Sequence, residues 1–126
     1  MKIHDLQLAL DEVFRLATEN PRGRANADFG TLNEYTLGLG RYSGVSPWER
    51  HRNGDELLYV VDGEVQITVL SEAGTEEREL IRAGRLLVVP QDRWHQLDAS
   101  TGASILFASL PESGAERTGD DPRHRK

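Results

Sequence analysis

The sequence predicts an all-β sandwich or barrel preceded by one amphipathic helix, and three observations predict it. From Thr31 to Leu110, short β-rich runs alternate with turn residues at spacings that suit a sandwich or a barrel. Within them Val65, Ile67 and Val69 alternate with Gln66 and Thr68, the two-residue period of a half-buried strand. Only the first segment has a helical period instead. The chain has 126 residues, enough for one domain of ordinary size and too few for a second core of comparable bulk.

Over residues 5–19, Leu6, Leu10, Val13, Phe14 and Ala17 fall on one helical stripe. Asp11 and Arg15 are spaced for an i, i+4 pair on the exposed side, and Asn20-Pro21 ends the pattern. Such a helix packs onto its own domain or onto a second subunit. Its polar face lacks the Lys/Arg richness of a membrane-surface helix. Residues 21–30, PRGRANADFG, read as a solvated connector. Residues 1–30 are therefore expected to form a helix and connector packed on the barrel, and residues 31–110 the barrel itself.

Asp62-Gly63 lies directly between LLYVV and EVQITVL, which predicts a tight hairpin because both central residues need positive φ. Ala73-Gly74 and Ala83-Gly84 punctuate the next two strands, and RLLVVP, RWHQLDA and ASILFASL supply the rest. Residues 111–126 carry no large apolar side chain and are expected to form a disordered tail. The run Glu56–Val61 is apolar on both faces apart from its glutamate, so it should be buried on both sides. Because a small barrel has an outside, Leu57, Tyr59 and Val61 are expected at a homodimer contact.

The formal charge of −6 can be localised. Residues 111–126 balance Glu112, Glu116, Asp120 and Asp121 against Arg117, Arg123, Arg125 and Lys126, which leaves the whole excess in residues 1–110. An acidic body lacks the basic face that a phosphate backbone requires, so nucleic acid is not an expected partner. There is no cysteine, which excludes disulfides, thiolate metal sites and thiol nucleophiles. No apolar run approaches the roughly 18 residues of a membrane span. The charged N-terminal stretch MKIHDLQLALDEVFRL is unlike a signal peptide. A soluble, cytoplasmic protein with no membrane partner is expected.

Chemistry-bearing residues concentrate in one place. Glu49, His51 and Glu56 lie within eight residues, and His95 follows a Pro90-Gln-Asp-Arg turn. Glu49 and His51, two apart, point to the same face of an extended strand. Imidazole nitrogens and carboxylate oxygens suit a borderline divalent cation such as Fe(II), Mn(II), Zn(II), Ni(II) or Co(II), and two histidines with one carboxylate leave positions open for substrate. Read by spacing alone, the same residues also fit solvated charges beside a loop histidine.

The order and spacing of these residues resemble the two motifs of the cupin family, a small jelly-roll barrel. Gly44 precedes Glu49 and His51; four residues separate His51 from Glu56, and six more lead to Gly63. The second motif reads Gly84, Pro90, Asp92, His95, Ala99, and the stretch between the motifs, Glu64 to Ala83, has 20 residues. The resemblance covers Tyr35 to Leu110 and implies an all-β cupin jelly-roll barrel (a double-stranded β-helix). It also implies metal ligation by His51, Glu56 and His95. Glu49 stands two before His51, where the family carries its first histidine. It is either the fourth ligand or, standing off the metal, a general base. Asp92 replaces a family glycine, tolerable because aspartate visits left-handed backbone readily, and Ala99 replaces an asparagine that is no ligand.

Trp48 and Trp94 adjoin proposed ligands on the opposite strand face and are expected in the core or an interface. Tyr35, Arg41, Tyr42 and Phe107 are candidates for the barrel mouth, whereas His4 and His124 are not expected to be ligands. The implied function is a metal-dependent cupin acting on a small organic molecule inside the barrel, with dioxygenase-like chemistry preferred because of the open positions. A non-catalytic small-ligand-binding or sensor cupin, or a metal-dependent isomerase, cyclase or lyase, is the alternative.

Overall fold

The computed structural model describes residues 1–111 and 114–124. Among these residues lie one α-helix, α1 (Leu6–Glu19), a short 3-10 turn (Pro122–His124) and eight strands: β1 (Ala25–Leu32), β2 (Tyr35–Val45), β3 (Trp48–His51), β4 (Glu56–Leu70), β5 (Glu76–Arg82), β6 (Leu86–Val89), β7 (His95–Ser109) and β8 (Ala115–Thr118). No helix among the described residues is long and apolar enough to cross a membrane.

Helix α1 starts where Asp5 accepts a hydrogen bond from the Leu8 amide (3.0 Å) and ends at Asn20 before Pro21. Val13 and Ala17 are buried, and the helix packs on β1 and β2. The rest of the apolar stripe is less covered: Leu6 and Phe14 remain exposed, and the Arg41 guanidinium lies 4.6 Å from the Phe14 ring centre. Arg15 does not pair with Asp11 as the spacing suggested. It reaches Glu12 (2.8 Å) and Glu19 (3.3 Å), while Asp11 accepts from Gln7.

Strands β4 and β7, each 15 residues long, pair antiparallel and form the spine. On one side of the spine lie β5 and β6, both on β4; on the other the order runs β1-β2-β7-β3-β8. The sheet curls so that Leu58, Val60, Val65, Ile67, Val89, Ala99, Ala103 and Ile105 meet in one core. That core closes one part of the barrel and leaves the part bordered by β3 and the starts of β4 and β7 for the site.

Four expectations are corrected here. Asp62-Gly63 makes no hairpin: it is a bulge inside β4, where the strand exchanges β6 for β5 while β7 stays beside it, with register shifts at Val60/Asp62 and Gly63/Gln66. Gly63 has φ 78°, and a Cβ there would lie 2.2 Å from the Gly102 carbonyl oxygen, so the glycine serves close approach of two strands. Likewise RWHQLDA and ASILFASL are one strand, β7. The barrel begins at Ala25 rather than Thr31, because half-buried Ala25, Ala27 and Phe29 alternate with exposed Asn26 and Asp28 in a strand whose alanines are too small to mark its period. Finally, residues 111–126 are not a disordered tail throughout: Ala115–Thr118 pair with β3 as Trp48↔Thr118, Glu49↔Arg117, Arg50↔Glu116 and His51↔Ala115. The remainder of that expectation, at residues 112–113 and 125–126, lies outside the described residues. Backbone pairing to an otherwise open strand and ion pairs from Glu116 to Arg50 (2.8 Å) and Arg52 hold β8, and neither depends on hydrophobicity.

Candidate metal centre

All four site residues predicted from the sequence meet inside the barrel. Strand alternation aims Glu49 and His51 inward from β3, with Trp48 and Arg50 on the other face; Glu56 opens β4 and His95 opens β7. The turns that set their spacing are tied together. Asp92 adopts the left-handed φ of 63° that its side chain tolerates, and its amide donates to the His51 carbonyl (2.8 Å). Gln91 bridges back as well, its amide donating to Asp55 Oδ1 (2.8 Å) and its side-chain nitrogen to the Arg52 carbonyl (2.7 Å).

His51 Nε2 lies 2.8 Å from Glu49 Oε1 and 3.0 Å from Glu56 Oε2, and His95 Nε2 lies 3.5 Å from Glu56 Oε1 and 3.9 Å from Glu49 Oε1. One donor atom from each of the four falls within 4.8 Å of the others. His51, Glu56 and His95 are only 7%, 8% and 3% exposed. Buried charges at this density need compensation. Hydrogen bonds to Glu49 and then Glu56 outweigh burial and push His51 up to about 10. For Glu56, burial favours the neutral acid, but hydrogen bonds from His51 and His95 prevail and bring it down to about 2. Glu49 is lowered too: burial and the nearby Glu56 oppose its ionisation, and the His51 hydrogen bond together with Arg117 overcomes them. A proton on His51 thus sits between two carboxylates, where a divalent cation would satisfy the same charges.

The donor set fits a borderline divalent ion, with two imidazole nitrogens and two carboxylate oxygens converging and no thiolate. His95 Nδ1 donates to the Arg93 carbonyl (3.1 Å), which in the neutral ring aims the Nε2 lone pair into the cluster. His51 Nδ1 has no partner among the described residues, a cost of about 1–3 kcal/mol for any state in which that nitrogen carries the proton.

A cavity of about 260 Å³ opens from the cluster. Leu58, Leu97, Ala99, Ile105 and Phe107 make its apolar wall, and Arg24, Asn26, Ser43, Ser46 and Arg117 stand among its polar lining. Tyr42 faces it as well; burial, then the negative charge of Glu56 and Glu49, push its phenol up to about 12 and keep it a donor. Of the four mouth candidates, Tyr42 and Phe107 line the cavity, whereas Tyr35 does not and Arg41 turns outward to Asp62 and Ser104 (both 3.1 Å). Trp48 is buried and Trp94 carries the Arg50 guanidinium 4.6 Å from its ring centre; neither lines the cavity. His4 lies against Phe29, and His124 is exposed in the final turn. Arg117, with its Nε 2.6 Å from Glu49 Oε2, is a site residue that sequence reasoning missed, because it lies in the segment read as a tail; Arg24 and Asn26, in the segment read as a connector, were missed likewise.

A curled antiparallel barrel with a histidine–carboxylate cluster in its cavity defines a β-barrel able to hold a metal ion. The chain belongs to the cupin family: the family model for the Cupin domain matches residues 41–109, which contain all four cluster residues. An uncharacterized protein of Bacillus subtilis (strain 168), YdbB, is 24% identical over 87 residues, 69% of this chain and 74% of that protein. Among solved structures, TT1209 from Thermus thermophilus superposes with a TM-score of 0.67 at 23% identity, covering 88% of this chain and 98% of that one. An oxalate oxidase superposes with a TM-score of 0.64 at 18% identity over 80% of this chain; the match spans 58% of the oxidase. At these identities the structural likeness establishes the jelly-roll fold.

Proposed function

We propose that this cupin binds a divalent transition metal, one of Fe, Mn, Zn, Ni or Co, through His51, Glu56, His95 and Glu49. On this reading it acts as a dioxygenase-like oxidoreductase on a small organic molecule held in the cavity. The convergence of four buried donors beside a cavity of about 260 Å³ carries this reading. The ion would supply Lewis acidity and open coordination positions for substrate and oxygen. The chain's own part is to desolvate the substrate against Leu58, Leu97, Ile105 and Phe107, and to orient it with the Tyr42 hydroxyl and Arg24. The oxalate oxidase neighbour suits a small polar substrate in such a cavity, and its chemistry is not carried over.

The test is elemental analysis of protein purified without added metal, followed by oxygen consumption with diketones, catechols and thiols. One ion per chain with uptake on one of these classes is expected. Stoichiometry far below one, with no melting shift in chelator, defeats the metal reading. A full site without turnover gives way to the non-catalytic ligand-binding alternative.

We also propose that a second copy of the chain covers the outer face of β4 and β6. Cross-strand pairs Leu57↔Val88 and Tyr59↔Leu86 lie side by side there, with Leu86 61% and Val88 53% exposed and Leu57, Tyr59 and Val61 half-buried. The named residues are all apolar apart from the Tyr59 hydroxyl, and two-fold packing would bury the same set on both protomers. Light scattering at micromolar concentration should report a dimer, and Val88→Asp should convert it to a monomer of unchanged far-ultraviolet dichroism. A monomeric wild type refutes the contact.

A further inference from the structure

Strand β8 places an arginine opposite the one ligand position where this chain departs from its family. In the β3–β8 register Glu49 faces Arg117 directly, on the inward side of the sheet, while the next pair, Arg50↔Glu116, faces outward. Arg117 Nε meets Glu49 Oε2 at 2.6 Å, and the other carboxylate oxygen, Oε1, is the one that lies 2.8 Å from His51 Nε2 inside the cluster. The two oxygens of Glu49 are thus divided, one to the guanidinium and one to the donor set.

The charge count gives the arrangement a purpose. A divalent ion with two neutral imidazoles, Glu49 and Glu56 sums to zero. The Arg117 guanidinium, held against Glu49, offsets part of the charge of that additional carboxylate. We propose that Arg117 is a positioning residue that fits Glu49 to the ligand place otherwise held by histidine: it holds Oε2 so that Oε1 faces the ion, and it offsets the additional carboxylate. This rests on the metal reading above. It makes the C-terminal strand part of the metal site, with Glu116 fastening that strand from outside through Arg50 and Arg52.

The test titrates Co(II) into chelator-treated protein and follows binding by calorimetry and by the visible absorption of the ion. Arg117→Gln should weaken Co(II) binding by about 10–100-fold and alter the absorption, and Arg117→Lys should recover part of the loss. Glu116→Gln loosens the same strand from its outer side; it should lower the melting temperature of the metal-free protein and leave Co(II) affinity within about threefold of wild type. In a Glu49→His background, Arg117→Gln should no longer weaken binding, because no carboxylate remains to be held. The proposal is overturned if Arg117→Gln binds Co(II) as wild type does, or if it loses the same factor with histidine at position 49, since that loss would come from strand docking alone. Failure of the wild-type chain to bind Co(II) would instead overturn the metal reading itself.

Discussion

Glu56→Leu should lower the unfolding free energy of the metal-free protein by about 3–5 kcal/mol at pH 7, and in the same protein Mn(II) should no longer raise the melting temperature. Glu56 is buried, and its two carboxylate oxygens lie 3.0 Å from His51 Nε2 and 3.5 Å from His95 Nε2. Its removal leaves His51 with Glu49 alone and a buried charge poorly matched. The apolar replacement cannot recover this through packing, because the partners stay behind. Replacing both ends, His51→Leu with Glu56→Leu, should therefore cost clearly less than the sum of the two single changes. Urea unfolding of the four proteins measures the cycle; a single-variant loss under about 1 kcal/mol would mean that the pair contributes little in solution.

Metal loading should release a proton, and the stabilities of the loaded and chelated proteins should diverge as pH rises. His51 in the metal-free fold is raised from 6.5 to about 10, so its contribution to folding is complete below pH 6.5 and is lost as pH climbs through about 10. Glu56 is lowered from 4.5 to about 2, so its contribution is present above pH 4.5 and is lost as pH falls through about 2. The chelated protein is thus expected to lose stability steadily above pH 6.5. A cation requires His51 without its Nε2 proton, so apparent affinity should rise about tenfold per pH unit between pH 6 and 8. Calorimetry in two buffers of different ionisation enthalpy should count close to one proton released per ion. A melting-temperature gap between loaded and chelated protein that stays flat from pH 6 to 8.5 would contradict this.

The cluster was legible in the sequence because its signal is local: Glu49 and His51 share a strand face by their spacing, and Glu56 and His95 open the strands that follow their turns. The helix was legible for the same reason, Val13 and Ala17 being where the stripe put them. Asp62-Gly63 misled because a dipeptide that permits positive φ serves a bulge as well as a turn. What decides between them is β7 lying alongside both halves of β4, a pairing some 40 residues away in the chain. Arg117 was illegible for a different physical reason. Strand β8 is held by main-chain pairing and ion pairs, which leave no hydrophobic period, and its inward partner Glu49 is remote in sequence.

The ordering of the strands bears on how the protein is made. Glu49 and Glu56 leave the ribosome before the groups that compensate them from β7 and β8. Until β7 pairs with β4 and β8 with β3, the nascent chain holds two carboxylates beside His51 without His95 or Arg117, and no cage for an ion exists. Assembly of the site thus waits on long-range strand pairing, the slow step in all-β folding. On the proposed metal reading, ion capture would follow the pairing of these strands, in contrast to small zinc domains whose ion drives the fold.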